Sequence, residues 1–384
     1  MLYKLSDVFD LQMGKTPSRD NNMYWKDGNL PWVSIADLSK SQIYIENSKE
    51  MITNLAAKDT LMKCIPQDTV IMSFKLSLGK TAITRTPLYT NEAIMAFLDK
   101  KVIQIESKYI YFLFRNIQWG QYTNNAVKGK TLNKKFFSDF QINIPEYIQQ
   151  KKIASILIRI NKILEYKHSL IKAYDALIKS RFVELFGNPV LNEKGWNLTS
   201  LESVCQSIYG GGTPSKKIKE YYMGTIPWVT SKDMKSDIIV DSIEHITQVA
   251  IDNSSTKIIP PESVLIVIRS GILKHTLPVC INKSRVTINQ DLKALVLDER
   301  CKAIYLQYLL KALEKDILSG VRAVTADNIE FNSLKKRKIP IPPINIQIKF
   351  SQMVNQINKL KSDVQKSIDE TQLLMDSLMQ EYFG

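Results

Sequence analysis

Two segments of the chain carry apolar residues at the spacing of a coiled coil. After Pro145, and again in the same phase after Pro343, apolar side chains recur in alternating steps of four and three residues. A sustained repeat of this period places them along one narrow seam of a helix, and such a seam needs a partner helix. The pattern predicts two helices of about 35–38 residues, or roughly 50–57 Å at about 1.5 Å per residue. The predicted seam residues are Ile153, Leu157, Ile160, Leu164, Ile171 and Ile178 in the first helix and Phe350, Val354, Ile357, Val364, Ile368 and Leu378 in the second.

The region before each predicted helix has the pattern of short strands. "DTVIMSF" from Asp68 and "SVLIVIR" from Ser263 are short runs rich in β-branched residues. Pro31 and Pro227 each precede a Trp-Val pair, which is typical of the entry to a strand. These regions are therefore predicted to be mainly β.

Helical signals within these regions are fewer. Segments 107–118 and 301–315 have helical patterns. The pairs Thr16-Pro17 and Thr213-Pro214 match the start of a helical turn, because a threonine hydroxyl can accept a hydrogen bond from a free N–H and proline suits the first helical position. Strands and helices together predict an α+β fold for each region.

Four sequence blocks recur in the same order, at an offset that stays between 194 and 198 residues. Chance similarity would not keep four blocks in order at nearly one offset, so the chain contains a duplicated unit. Each copy is a globular region followed by a long helix. The block pairs begin at Gly14 and Gly211, Ile65 and Ile259, Thr90 and Ile288, and Ile142 and Ile339.

The duplication predicts a division into four segments. They are a globular region at 1–145, a long helix at 146–187, a second globular region at 188–341 and a second long helix at 342–384. The first helix must run out to the second region and the second must return, so we predict an antiparallel two-helix coiled coil with pseudo-two-fold symmetry that separates two similar regions. The alternative is two separate amphipathic helices, each on the surface of its own domain.

The net charge of +14, from 52 Lys and Arg against 38 Asp and Glu, favours a polyanionic partner such as nucleic acid. The alternative is a basic protein with no such partner. Two regions at a fixed separation suit duplex DNA, because a rod of roughly 50 Å spans ~15 base pairs at about 3.4 Å each. We therefore expect two recognition points on one duplex.

A nucleotide site is not expected in this chain. A phosphate-binding loop needs a glycine five residues before Gly-Lys-Ser/Thr, so that the backbone can wrap the phosphates. None of the three Gly-Lys-Thr tripeptides has one. The positions in question hold Phe9, Phe74 and Asn124.

Cysteine and histidine usage predicts a cytoplasmic protein without a metal site. The four cysteines are scattered, which suits a reducing compartment rather than a disulfide framework. The three histidines show no metal-ligand spacing to one another or to the cysteines. The N-terminal "MLYKLSDVFD" lacks the apolar core of a secretory signal, and no run of 18 apolar residues is present to span a membrane.

The residues that carry the repeat resemble the specificity subunits of type I restriction-modification systems, over essentially the whole chain. The resemblance rests on "GGTPS" from Gly211 with "YYMGTIPWVTSKDM" from Tyr221, and on a degenerate first copy that begins at Gly14. Each long helix also begins after an Ile-Pro pair and ends at a Phe-Gly pair. Glutamines follow the prolines at Gln149, Gln150 and Gln347.

The resemblance implies that each globular region is a target recognition domain, which reads one half of a bipartite, asymmetric sequence in double-stranded DNA. It also implies that the helices are spacers and dock two modification subunits, which methylate adenine N6 with S-adenosylmethionine. Restriction-translocase subunits that use ATP and Mg²⁺ would complete the complex. This chain is then expected to be non-catalytic, with no cofactor of its own.

Three other interpretations remain open from the residues alone. A nuclease or methyltransferase acting by itself would need a catalytic constellation, and "FGNPV" from Phe186 fits the end of a helix better than a methyltransferase tetrapeptide. A coiled-coil adaptor would have no affinity for DNA. A solitary repressor would bind DNA specifically without any partner.

The candidate DNA contacts are Lys and Arg side chains near polar loop residues, since such side chains bind phosphates and a subset reads base edges. Neighbouring glycines such as Gly14, Gly79, Gly211 and Gly271 would let the backbone approach a phosphate. Trp32 and Trp228 are predicted to be core residues rather than base-stacking groups. The candidates are Lys15, Ser18, Arg19, Lys26, Lys75, Lys80, Lys128 and Lys130 in the first region and Ser215, Lys216, Lys217, Lys232, Arg269, Lys274, His275 and Arg322 in the second.

Overall fold

The computed structural model describes residues 1–123, 132–319 and 328–384, which form two compact units. The first unit contains Met1–His168 and Lys366–Gly384, and the second contains Ser169–Gln365. Each unit therefore consists of one globular region and one half of each long helix.

The described elements of the first unit alternate short strands with short helices and end in a long helix that continues into the second unit. Its strands are β1 (Leu2–Lys4), β2 (Phe9–Met13), β3 (Leu30–Val33), β4 (Tyr44–Ile45), β5 (Glu50–Ile52), β6 (Val70–Ser73), β7 (Thr81–Thr84), β8 (Tyr89–Thr90), β9 (Ile94–Asp99) and β10 (Gln141–Asn143). Its helices are α1 (Leu5–Val8), α2 (Ile35–Lys40), α3 (Asn54–Asp59), α4 (Ser107–Asn116), α5 (Lys134–Asp139) and α6 (Tyr147–Phe186).

The second unit repeats this order of strands. Its described strands are β11 (Asn197–Ser200), β12 (Cys205–Gly210), β13 (Ile226–Val229), β14 (Ile238–Ile239), β15 (Glu244–Ile246), β16 (Val264–Val267), β17 (Val279–Asn282), β18 (Thr287–Ile288), β19 (Leu292–Leu297) and β20 (Lys338–Ile341). Its described helices are α7 (Gln248–Asp252), α8 (Ala303–Ala312), α9 (Glu314–Ser319), α10 (Phe331–Lys336) and α11 (Ile344–Phe383), the last of which continues into the first unit.

The two units have the same sheet topology. The five-stranded sheets run β2-β9-β6-β7-β4 and β12-β19-β16-β17-β14, and the three-stranded sheets run β5-β3-β8 and β15-β13-β18. A two-stranded sheet, β1-β10 or β11-β20, completes each unit. In both five-stranded sheets the two-residue edge strand pairs in parallel with its neighbour. The topology confirms the predicted duplication of an α+β unit.

The central strand of each five-stranded sheet is buried along its whole length. In β6, Val70 and Met72 face a cluster that includes α4 and the start of α6, whereas Ile71 joins a second cluster with Val33 of β3. Successive strand residues point to opposite faces, so a run of apolar residues is required where both faces are covered. This packing attaches the globular region of the unit to the long helix.

The long helices pair within each unit. In the second unit, Phe182 and Phe186 of α6 pack on Phe350 of α11, with ring centroids 5.6 and 5.3 Å apart. In the first unit, Leu157 lies in one cluster with Leu378 near the opposite end of α11. The contacts therefore run antiparallel, as predicted, and the alternative of two separate amphipathic helices is wrong. Each helix has 40 residues, slightly more than the predicted length.

Every predicted seam residue is at least partly buried. Nine of them are less than a tenth exposed, and Ile171, Val364 and Leu378 are half-buried.

Two lysines interrupt the seam and bind the partner helix. Lys167 Nζ donates to the carbonyl and hydroxyl oxygens of Ser367 and to Thr371 Oγ1, over 2.9, 2.7 and 2.6 Å. Lys361 Nζ forms an ion pair with Asp175.

A buried glutamine fixes the start of each long helix. Gln150 is 1% exposed, and its Oε1 accepts from the Glu106 N–H over 2.9 Å. Its Nε2 donates to the carbonyl oxygens of Gln104 and Pro145 over 3.1 and 2.9 Å. The glutamine thus ties the first turn of α6 to the segment that precedes α4. The equivalent bonds of Gln347 go to Lys302, Arg300 and Pro342.

The predicted helical turns at Thr16-Pro17 and Thr213-Pro214 are wrong. The Thr16 hydroxyl donates to the Glu92 carboxylate and the Thr213 hydroxyl donates to the Gln290 side chain, and neither 14–18 nor 211–215 is helical. The Lys15 N–H donates to the Thr90 carbonyl over 2.9 Å, which holds this segment extended against β8. Single 3-10 turns follow later, at Asn22–Tyr24 and Lys219–Tyr222.

Candidate nucleic-acid interface

The first repeated block forms a polar loop in each unit, which we call the TPS loop: residues 14–29 in the first unit and 211–225 in the second. Each loop joins the edge strand of the large sheet to the central strand of the small sheet. Trp32 Nε1 donates to the Lys15 carbonyl and Trp228 Nε1 donates to the Gly212 carbonyl, both over 3.0 Å. The two tryptophans are 2% and 3% exposed, so they are core residues, as predicted, and they fix the base of each loop.

The glycine that opens each TPS loop is required by packing within the unit. A Cβ atom at Gly14 would overlap the carbonyl oxygens of Thr90 and Asn91, and one at Gly211 would overlap the Asn289 carbonyl. Glycine therefore lets the loop lie against the turn that enters β9 or β19. Packing within the unit accounts for glycine at these two positions, and the approach of backbone to a phosphate stays a prediction.

A repeated aspartate fixes the segment after each TPS loop. Asp37 Oδ2 accepts from the Ser34 N–H and hydroxyl over 2.9 and 2.7 Å, and its Oδ1 accepts from the Lys49 N–H over 3.1 Å. Asp233 makes the matching bonds to Thr230 and to the Ile243 N–H. The repeated residues thus stabilise the strands and turns from which the TPS loops extend. We call these shared strands and turns the frame.

In the first unit the TPS loop closes over its own arginine. Arg19 forms a two-point ion pair with Glu50, with N–O distances of 2.5 and 3.0 Å. Its guanidinium stacks on Trp25, 3.9 Å from the ring centroid, and lies 4.9 Å from that of Trp32. The hydrogen bond to Glu50 raises the pKa of Arg19. Trp25 Nε1 in turn donates to the Ser18 carbonyl over 2.9 Å.

In the second unit the same place is an open hollow of about 470 Å³. Tyr222 replaces the tryptophan, packs edge-on against Trp228 at 5.7 Å and donates from its hydroxyl to the Pro214 carbonyl over 2.8 Å. His245 Nε2 lies 2.7 Å from Asp241 Oδ1, and the Ser242 N–H together with this histidine lowers the pKa of Asp241. The hollow is lined by Lys216, Lys219, Tyr222, Gly224, Ile243, Glu244 and His245.

The candidate residues of the first unit lie on two connections. Ser18, Arg19 and Lys26 share the TPS loop, and Lys75 and Lys80 share the connection between β6 and β7. Lys75 is half-buried, with its Nζ 5.3 Å from the Phe74 ring centroid, whereas Lys26 and Lys80 are exposed. One TPS-loop candidate points elsewhere, since Lys15 Nζ donates to the Thr60 carbonyl at the end of α3 over 2.8 Å. Two further candidates, Lys128 and Lys130, lie outside the described residues.

The candidates of the second unit follow the same distribution. Ser215, Lys216 and Lys217 share the TPS loop, and Lys232 is exposed on the turn after β13. Arg269 Nε is 2.7 Å from Asp291 Oδ1, so its charge is already paired. Lys274 and His275 end a 3-10 turn between β16 and β17, and Arg322 lies outside the described residues.

Sequence reasoning missed the other side chains of the hollow, above all Lys219 and His245. A signal was present for Lys219, because the loop alignment at an offset of 197 places it opposite Asn22, a change from polar to cationic. His245 sits on a strand with no motif of its own, so only the fold brings it to the hollow.

The described residues offer no metal-binding group of three or more His, Cys, Asp or Glu side chains. No disulfide joins the cysteines. Burial raises the pKa of the Cys205, Cys280 and Cys301 thiols to about 12, which keeps them protonated at neutral pH. Within the part of the chain that the structure describes, no helix has the length and apolar character needed to cross a membrane.

A family comparison decides the assignment. The model of the type I restriction modification DNA specificity domain matches residues 1–173 and 193–371, one match for each copy of the repeat. The chain belongs to this family. The resemblance seen in the sequence is confirmed, and each unit carries one copy of the specificity domain.

Individual relatives agree with this assignment. The chain is 25% identical to the type I restriction enzyme MjaIX specificity subunit of Methanocaldococcus jannaschii, over 98% of this chain and 90% of that protein. It is 36% identical to the EcoR124I/EcoR124II specificity subunit of Escherichia coli, over 42% of this chain and 40% of that protein.

Solved structures share the fold. The S subunit of a type I restriction-modification system from M. genitalium superposes with a TM-score of 0.62 at 13% identity, covering 100% of this chain and 96% of that one. A structure that describes complex assembly and conformational transition of the type I R-M system gives a TM-score of 0.63 at 17% identity, covering 100% and 97%.

Proposed function

We propose that this chain is the DNA-recognition subunit of a type I restriction-modification complex, in which each specificity domain reads one half of a bipartite target. One observation carries the proposal: the two copies keep the residues that build the frame and change the residues on the loops. Trp32, Asp37 and Gln150 recur with their hydrogen bonds as Trp228, Asp233 and Gln347.

The loops mounted on this common frame differ in chemistry. Arg19 corresponds to Lys216, Trp25 to Tyr222, and Glu92 to Gln290. Since direct readout depends on the donors, acceptors and apolar groups that meet base edges, equal frames with unequal loops suit a target whose two halves differ. The net charge of +14 supports binding to a nucleic acid.

We assign the chemical steps of methylation and restriction to partner subunits. Two modification subunits would bind S-adenosylmethionine and methylate adenine N6, and restriction-translocase subunits would use ATP with Mg²⁺. This chain would be non-catalytic and cytoplasmic. The relatives named as specificity subunits and the neighbouring structure that concerns complex assembly support this division of labour.

The outer faces of the long helices support the docking of such partners. Several apolar side chains of α6 and α11 point away from the seam and are about half-exposed or more. Exposed apolar groups of this kind on a long helix suit association with another protein. They are Ile163, Leu177, Leu360, Leu373 and Leu374.

Copurification followed by methylation mapping tests the proposal. The chain is co-expressed with the products of the neighbouring cistrons, the complex is isolated, and methylated adenines are mapped across the host genome. We expect a complex that contains this chain and a bipartite, asymmetric motif. A chain that isolates alone and yields no methylation motif, or one that methylates DNA without partners, would contradict it.

A further inference from the structure

The TPS loops differ most at five consecutive positions that follow the shared Thr-Pro-Ser. In the first unit these are residues 19–23, Arg-Asp-Asn-Asn-Met, with one basic and one acidic residue. In the second they are residues 216–220, Lys-Lys-Ile-Lys-Glu, with three basic residues and one acidic residue. The duplicated frame thus carries a neutral segment in one unit and a cationic segment in the other.

Both units place a glutamate opposite this segment. Glu50 pairs with Trp32 in the β3–β5 ladder, and Glu244 pairs with Trp228 in the β13–β15 ladder, so the two carboxylates occupy equivalent positions. In the first unit the carboxylate binds both terminal nitrogens of Arg19. Among the described residues of the second unit, neither Lys216 nor Lys219 forms an ion pair with any acid.

The side chains explain this difference. The planar guanidinium of Arg19 can bind a carboxylate at two points while it stacks on Trp25, and both contacts exist here. A lysine ammonium is a compact charge without that fork, and the smaller ring of Tyr222 is held by its hydroxyl at the Pro214 carbonyl. The second loop therefore stays open and its lysines keep their charge available.

We propose that the two units hold DNA unequally at this place: the hollow of the second unit receives a backbone phosphate through Lys216 and Lys219, whereas Arg19 of the first unit stays bound to Glu50 and supports its own loop. This inference rests on the proposed function, because it assumes that the chain binds duplex DNA. Phosphate is the anion that recurs along a duplex irrespective of sequence, and two lysines that line one open hollow suit it.

Glu244 sets the strength of this contact. Its carboxylate lines the same hollow and would repel a phosphate, so the two lysines act against it. Replacement by the isosteric amide, Glu244→Gln, is expected to tighten DNA binding of the complex several-fold. Equal or weaker binding would mean that no phosphate enters the hollow.

The salt dependence of binding gives the decisive readout. The complete complex is titrated with a duplex that carries its mapped methylation motif and with a duplex that lacks it, from low to high salt. We expect Lys216→Ala/Lys219→Ala to reduce the slope of log K against log salt by about 0.9, since the two lysines hold one phosphate and the loss of one phosphate contact removes about 0.9. Binding of both duplexes should weaken by the same factor, because a phosphate contact carries no sequence information.

A matched control comes from the same unit. Lys336→Ala/Lys338→Ala also removes two exposed lysines, at the end of α10 and the start of β20, away from the hollow. This variant should keep the wild-type slope. The inference is overturned if the hollow variant and the control both keep it while the wild-type complex binds DNA. If the wild-type complex neither binds nor methylates DNA, the proposed function itself fails, and the two failures are distinct.

A repeat-exchange variant separates geometry from charge. Lys216→Arg/Tyr222→Trp gives the second loop the residues of the first without changing its net charge. We expect the new arginine to bind Glu244 and stack on the tryptophan, which closes the hollow to the phosphate, so the slope should fall by about 0.9 although no charge is lost. A wild-type slope in this variant would contradict the role assigned to Arg19.

Discussion

Gln150 and Gln347 show what repeated residues do in this molecule. Each is a buried amide whose oxygen and nitrogen satisfy three backbone groups at the junction of a long helix and its globular region. A buried polar group is stable only when it is hydrogen-bonded, so the glutamine and its three partners depend on one another. These residues serve the frame, not the ligand.

Removal of this amide should weaken the first unit. Gln150→Ala leaves the Glu106 N–H and two carbonyl oxygens without their partner, and we expect the free energy of unfolding of that unit to fall by about 1–3 kcal/mol. Gln149→Ala is the matched control, because the neighbouring glutamine is exposed. Denaturant unfolding monitored by hydrogen exchange in α4 measures both. Equal stability of the two variants would show that the bonds of Gln150 contribute nothing.

Residue roles were predictable only where burial decides them. Trp32 and Trp228 sit in apolar strand sequences, and they are core residues as predicted. Thr16 was predicted as a helix cap, but its hydroxyl meets Glu92, a residue 76 positions away. Local sequence shows which bonds a side chain can make and not which distant partner the fold brings to it.

At the scale of elements, most of the helices and strands that could be predicted were predicted from the period of the apolar residues. The seam of α6 and α11 and the buried strands β6 and β16 follow from the period of their apolar residues. Both long helices continue past their last predicted seam residue. The first, α6, runs on to Phe186 and is followed by Gly187, whose φ is 77°, and α11 runs on to Phe383. Edge strands such as β4, with two residues, are too short to show a pattern, so the sheet order had to come from the structure.

The ion pair between Asp175 and Lys361 tests the helix register. Exchange of the two charges, Asp175→Lys/Lys361→Asp, should restore most of the stability that each single replacement removes. We expect a coupling of at most about 1 kcal/mol, because Asp175 is 49% exposed and solvent screens the pair. A double-mutant cycle of unfolding free energies measures it. Additive effects of the two single replacements would show that these residues do not meet across the coiled coil.

At the scale of the whole molecule, duplication explains both what was predictable and what was not. The nearly constant offset of the repeats predicts two similar units, and the matching strand orders of the two units follow from it. The loops were less predictable, because a basic residue such as Arg19 can serve the protein itself. Arg19 binds Glu50 across the small sheet, whereas Lys216 at the aligned position lines an open hollow, although Glu244 occupies the position equivalent to Glu50.

The most direct test of the account duplicates one globular region. A chain in which 188–341 is replaced by a second copy of 1–145 is expressed with the partner subunits, and methylated adenines are mapped in parallel with the wild type. If each specificity domain reads one half of the target, the motif should become a palindrome, because the strands of a duplex are antiparallel and two copies of one domain would read one half-sequence on opposite strands. An unchanged asymmetric motif would contradict the account, because the recognition would then not reside in these regions.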